Sequence, residues 1–224
     1  MKELVIKIKW GGLGDHLIHT PIPRAAKQQG YDKVFISNHS DYLQPDTKKF
    51  IWGNNPFVDG FIDEDGPYPT FGEVATGMNI LDTLVFWWGL DDDSIRFREP
   101  EIFYTPKNKP ELNNAVIFDP NFGTAVGHPS SSVVKKYFSQ HNICINYQIA
   151  LRKNNHSIHG KPMLQTTGLE HFCDIIHSCK ALFCFTTGTA TLAAALAKSV
   201  TVFHTDKVLP MFHHSKLHTY KELK

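Results

Sequence analysis

Apolar runs of strand length alternate with segments of helical periodicity along almost the whole chain, and no other feature constrains the fold as much. Residues 4–8 read as a buried strand, 15–29 as a helix and 33–37 as a second strand. A looser stretch, 43–52, precedes the short apolar run 58–62. Residues 80–90 are apolar enough for a helix, with Trp87 and Trp88 in its core. The segment Thr105-Pro106-Lys107-Asn108-Lys109-Pro110 cannot sustain an element and reads as a linker. Beyond it the pattern restarts with a strand at 115–118, a helix at 132–140 and a strand at 143–147. Residues 151–165 are polar and irregular. Leu169, Phe172, Cys173 and Ile176 then mark one helical face, followed by a strand at 181–185, an alanine-rich helix at 189–197 and a strand at 200–203. Such alternation implies parallel sheets covered on both faces. The expectation is an α/β chain of two doubly wound, Rossmann-like halves, 1–108 and 109–224, facing a cleft.

Composition removes several function classes. At 42% hydrophobic and 12% aromatic residues, the 224-residue chain has enough apolar mass for real cores, which excludes disorder. With 23 basic against 22 acidic residues the net charge is +1, so no global field favours nucleic acid. No apolar run reaches membrane-spanning length, and MKELVIKIKW lacks a secretory h-region. Cys144, Cys173, Cys179 and Cys184 form no CxxC pair and read as reduced thiols. A soluble, cytoplasmic protein is expected.

Three strand-to-helix junctions could carry chemistry. Gly11-Gly12-Leu13-Gly14-Asp15 lets backbone approach a ligand closely and offers a helix N-terminus, yet places a carboxylate where a phosphate would sit. Asp15 is there as a helix cap, as a repeller of anions, or as the group that does the chemistry. The loop has neither the Lys-Ser/Thr of a Walker loop nor dinucleotide spacing. Phe185-Thr186-Thr187-Gly188-Thr189-Ala190-Thr191 gathers hydroxyls and N–H groups at a strand's carboxyl end, suited to a diphosphate or to simple capping. The stretch from Phe118 through Thr124 to Ser131 and Lys135 offers hydroxyls and a lysine to a phosphate, or is an ordinary surface loop. Among thirteen histidines, His156 and His159 fall in a polar loop. His214 and His218 would share a helix face beside His213. Lacking an H-E-x-x-H carboxylate or a thiolate neighbour, these read as surface histidines, not metal ligands.

Taken together, these pieces resemble the heptosyltransferase-type members of glycosyltransferase family 9, which adopt the GT-B fold. "GGLGDHLIHTPIPRAAKQQGYDKVFIS" is similar to the family's opening strand, glycine loop and proline-bearing helix. "GNNPFVDGFID" resembles its N-x-P-x-V-D segment, "LDTLVFWWGLDDD" its helix ending in Gly-Leu, and "TTGLEHFCDIIHSCKALFCFTTGTATLAAALAKSVTVFHTD" its late block. The resemblance implies an inverting glycosyltransferase that needs no metal or other cofactor. Asp15 would be general base, Gly11, Gly12 and Gly14 the acceptor-side loop, and Thr187, Gly188, Thr189, Thr124 and Ser131 the donor-phosphate contacts. The implied partners are a nucleotide-diphosphate sugar and a glycan or glycolipid, the latter favouring peripheral membrane contact. The family's D-T-G-x-x-H pattern carries threonine here at both polar ends, Thr186 and Thr191. That departure supports an alternative, a nucleotide-sugar-binding protein without catalysis. An NAD-dependent oxidoreductase fits less well, because the second strand ends Ser37-Asn38 without an acid for the ribose.

Overall fold

The computed structural model describes residues 1–66, 68, 77–90, 97–122, 127–151, 158 and 160–224. They fall into two compact units, Met1–Tyr104 and Thr105–Lys224.

In the first unit β1 (Glu3–Ile6), β2 (Lys33–Ser37) and β3 (Gly60–Ile62) pair in parallel in that order. The ladder ends before Ile8, whose N–H turns to Ser40 Oγ at 3.1 Å and whose carbonyl takes the N–H of Asp41 at 2.9 Å. The helix expected over 15–29 is two helices, α1 (Leu13–Ile18) and α2 (Pro21–Gln28). Pro21 has no N–H for the carbonyl of Leu17, which accepts instead from the N–H and hydroxyl of Thr20 at 3.2 and 2.7 Å. Pro21 and Pro23 then occupy the first turn of α2, where N–H groups lack intrahelical partners anyway. A π-helical turn, Lys48–Trp52, buries Phe50, Ile51 and Trp52 within the stretch read as loose. Helix α3 (Ile80–Trp87) stops short of residue 90 because Gly89 turns left-handed at φ 65°. The N–H groups of Gly89 and Leu90 then close onto Phe86 and Val85. Trp87 and Trp88 are half-buried rather than core.

The second unit carries β4 (Val116–Phe118), β5 (Tyr147–Ile149), β6 (Met163–Leu164), β7 (Ala181–Phe185), β8 (Thr201–His204) and β9 (Thr219–Glu222). All neighbours are parallel, in the order β6-β5-β4-β7-β8-β9. The order runs outward from β4 to β6, then reverses to run from β7 to β9, the doubly wound pattern with its switch point between β4 and β7. In the first unit the described strands progress in one direction only. Helices α4 (Ser131–Gln140), α5 (Leu169–Ser178) and α6 (Gly188–Ala195) connect the strands. The strand expected over 143–147 pairs only from Tyr147 onward. The N–H of Ile143 is still capping α4 at the carbonyl of Phe138. Phenylalanines dominate the core: Phe118 meets Phe138 and Phe185 edge-on at 5.5 Å each, and Phe183 stacks on Phe203. Among the described residues no helix is long and apolar enough to cross a membrane.

Candidate functional site

The glycine loop after β1 has a backbone steric reason for its first glycine and a side-chain contact at its second. A Cβ on Gly11 would lie 2.9 Å from the backbone of both Asp41 and Leu43, and the N–H of Leu43 donates to the carbonyl of Gly11 at 2.9 Å. A Cβ on Gly12 would lie 2.6 Å from Asp15 Oδ2. Gly12 is the N-cap of α1, Gly14 its second residue and Asp15 its third. Asp15 Oδ2 accepts from the N–H of Gly12 at 3.0 Å. Asp15 is therefore a cap, and it occupies an N–H group a phosphate would need. It is also more than a cap. Burial lifts its carboxyl to about 6, outweighing the stabilisation of the anion by the N–H groups of Gly12 and of Asp15 itself.

Two histidines, His16 within α1 and His19 capping its C-terminal end, secure this corner. Trp52 Nε1–H donates to His16 Nδ1 at 3.0 Å, so His16 donates from Nε2 to the carbonyl of Asp41 at 2.8 Å. Burial holds His16 at about 4, keeping it neutral. His19 Nδ1 donates to the carbonyl of Asp15 at 2.6 Å and is likewise held at about 4 by burial. Its Nε2 is buried without a hydrogen-bond partner among the described residues. Sequence reasoning passed over both; the signal was the pattern Asp15-His16-Leu17-Ile18-His19.

In the second unit the switch point collects the other candidates. Thr187 caps α6, its hydroxyl accepting from the N–H of Thr189 and donating to the carbonyl of Phe185, both at 3.3 Å. Gly188 opens the helix. The hydroxyl of Thr189 donates to Asp119 Oδ2 through a short bond, so both its hydroxyl and its N–H are engaged within the protein. Asp119, directly after β4, is fully buried; its Oδ1 also accepts from Asn121 N–H at 2.9 Å and Nδ2 at 2.6 Å. Burial raises its carboxyl to about 6 against the pull of these donors. Thr186 Oγ1 is buried without a partner among the described residues, and the Thr191 hydroxyl donates back to the carbonyl of Thr187 at 3.3 Å. Ser131 is exposed at the first position of α4, whose cap is Ser130. Three residues before it, His128 lies 3.5 Å from the ring of Phe122 and 5.8 Å from that of Phe185. The starts of α4 and α6 thus meet the carboxyl ends of β4 and β7. Thr124 lies outside the described residues.

The C-terminal histidines are not on the surface and share no helix. His214 and His218 are buried, and His213 stacks on Tyr220 at 4.2 Å. The segment forms no helix because a 3₁₀ turn, Pro210–Phe212, leads directly toward β9. His218 Nε2 donates to the carbonyl of Ala190 at 2.8 Å, and burial pushes His214 down to about 4. Among the described residues no group of three or more potential metal ligands occurs. His156 and His159 lie outside them. All four cysteines are unpaired, with Cys144 exposed and the others buried.

The sequence matches no family model and no curated protein. Solved structures do match. A glycosyl transferase family 9 protein from Veillonella parvula DSM 2008 aligns over 99% of this chain and 86% of its own, at 12% identity and a TM-score of 0.63. The iron-containing dodecameric glycosyltransferase TibC of enterotoxigenic E. coli H10407 aligns over 99% of this chain but 62% of its own, at 14% identity and a TM-score of 0.69. A second TibC structure is a complex with ADP-D-β-D-heptose. The E. coli heptosyltransferase WaaC with ADP aligns over 99% and 93%, at 11% identity and a TM-score of 0.55. At identities this low the likeness establishes a shared fold: the chain has the parallel α/β architecture of the heptosyltransferase structures of glycosyltransferase family 9.

Proposed function

We propose that the chain is an inverting glycosyltransferase of GT-B type, moving a sugar from a nucleotide-diphosphate donor to a hydroxyl of a glycan or glycolipid. The observation that carries the reading is the match of 99% of the chain to transferase structures, two of which are complexes with ADP or ADP-D-β-D-heptose. In this reading Asp15 takes the proton of the acceptor hydroxyl while that oxygen bonds to the anomeric carbon. The bond from that carbon to the diphosphate breaks, and the nucleoside diphosphate leaves with the electron pair. A carboxyl at about 6 is about nine-tenths ionised at pH 7, yet basic enough to accept the proton. Gly11, Gly12 and Gly14 shape the acceptor-side loop. The N–H of Gly188 and the positive end of α6 receive the leaving diphosphate, the Thr187 hydroxyl turning to it from the carbonyl of Phe185, with Ser131 and Thr124 supporting it from the other junction. No metal is needed where a helix terminus and side chains meet that charge. Thr189 serves the site by holding Asp119. The compartment proposed is the cytoplasm, in keeping with four unpaired thiols.

A second reading is binding without transfer. The engagement of Thr189 and Thr191 within the fold favours it, since it leaves fewer free hydroxyls at α6. Thermal unfolding against ADP, GDP, UDP and CDP, followed by an assay of diphosphate release, separates the two. At 100 times the dissociation constant a ligand stabilises by about 2.7 kcal/mol, a shift of several degrees. A shift with one diphosphate plus sugar transfer is expected. A shift with neither hydrolysis nor transfer would leave the binding protein, and no shift at all would contradict both readings.

A further inference from the structure

The second unit holds a cavity of about 450 Å³ that shares no residue with the switch-point junction. It lies beside the latter part of α4 and the chain entering β5, at the amino ends of the parallel strands, whereas the junction lies at their carboxyl ends. Its floor is the edge of the apolar core: Phe138, Ile145 and Ile158 are buried there, and Ile143 packs against them. Lys135 and Lys161 also line it, and neither pairs with a carboxylate among the described residues. The ammonium of Lys161 lies 4.0 Å from the thiol of Cys144, the exposed member of the four cysteines.

Both walls are held in place. Asn142 ends α4 in the left-handed region at φ 53°, and the N–H of Ile143 closes onto the carbonyl of Phe138 at 2.9 Å. On the other side the buried amide of Gln148 donates to the carbonyls of Ile158 and Lys161, each at 3.1 Å, and accepts from the N–H of Ile158. A preformed cavity of this size, with an aliphatic floor and two cations, suits a small ligand with an apolar body and one anionic end. A sugar laid on the isoleucines would give up water without regaining hydrogen bonds. We propose that the cavity binds a small aliphatic carboxylate of the medium-chain fatty-acid class. Its chain rests on Ile143, Ile145 and Ile158, and its carboxylate pairs with Lys161 and Lys135. None of the residues assigned to sugar transfer takes part, so the cavity stands apart from that reading.

Cys144 reports on occupancy, because the other three thiols are buried. The test is the rate at which neutral N-ethylmaleimide labels the whole folded chain in the presence of octanoate, octanol or phosphatidylglycerol vesicles. Octanoate at ten times its dissociation constant should slow labelling of Cys144 about tenfold, and octanol should need a higher concentration for the same protection. The double variant Lys135→Gln, Lys161→Gln alters two side chains outside the core. It should melt like the wild type yet bind octanoate about five- to tenfold more weakly, no better than octanol. Protection by vesicles and not by octanoate would overturn the proposal in favour of a membrane face. Labelling that octanoate leaves unchanged, or protection undiminished in the lysine variant, would also overturn it. Labelling of Cys173, Cys179 or Cys184 in octanoate would do the same, since the carboxylate would then be loosening the core instead of occupying the cavity.

Discussion

Asp15 and Asp119 are the same chemistry in two settings. Each follows the first strand of its unit, and burial raises each carboxyl to about 6. Asp15 is only part-buried and leans on the N–H groups at the start of its own helix. Asp119 is fully buried, accepts three hydrogen bonds and ties β4 to α6 across the switch point. A raised pKa therefore does not by itself mark a catalytic group. On the reading proposed above, access and partners decide: the part-buried carboxyl of Asp15 exchanges a proton, and that of Asp119, enclosed by donors, acts as a strut.

The largest expected difference lies in activity. Asp15→Asn should lower turnover about 10²-fold or more while the melting midpoint holds or rises. The sign follows from linkage. Asp15 titrates higher folded than unfolded, so between about pH 4 and 6 the folded state binds more protons, and its contribution to stability falls as pH rises through that window. Removing the charge should relieve that cost at pH 7. Asp119→Ala should do the reverse to the fold, costing about 2–3 kcal/mol by denaturant unfolding, because Thr189 and Asn121 lose their buried acceptor. If Asp119→Ala melted like the wild type, the strut would be refuted. A double-mutant cycle of Asp119→Asn with Thr189→Val should give a coupling of about 1–2 kcal/mol.

The smallest expected effect concerns how helices end in the two units. In the first, α2 and α3 close with Gly30 and Gly89 in the left-handed region; in the second, α6 closes with Ala197 there, at φ 53°. Ala197→Gly should therefore stabilise by about 0.5–1 kcal/mol, read as a small rise in denaturation midpoint. A loss of stability would mean that the alanine methyl contributes packing that outweighs its strain.

The legible parts of this fold were those whose signals are local. The strands Lys33–Ser37 and Ala181–Phe185 coincide with their apolar runs, since buried parallel strands need little else. The break before Pro21 was written in the sequence but outweighed by the apolar periodicity running through it. Strand β9, Thr-Tyr-Lys-Glu, carries no apolar run because it lies at a sheet edge and is mostly exposed. Asp15 stood out because its glycines are adjacent. Asp119 did not, because its partner Thr189 is 70 residues away and only the switch point of the sheet brings them together. His218 was read as a surface histidine for the same reason: it is enclosed by contact with Ala190, 28 residues earlier.

The pH dependence of kcat/KM for sugar transfer, measured on the wild type, tests the assignment of Asp15 most directly. The account predicts a profile that rises about tenfold per pH unit up to about 6 and then levels, as the carboxyl becomes ionised. A rate that is already flat through pH 5, or one that falls as pH rises through 6, would contradict Asp15 as the base.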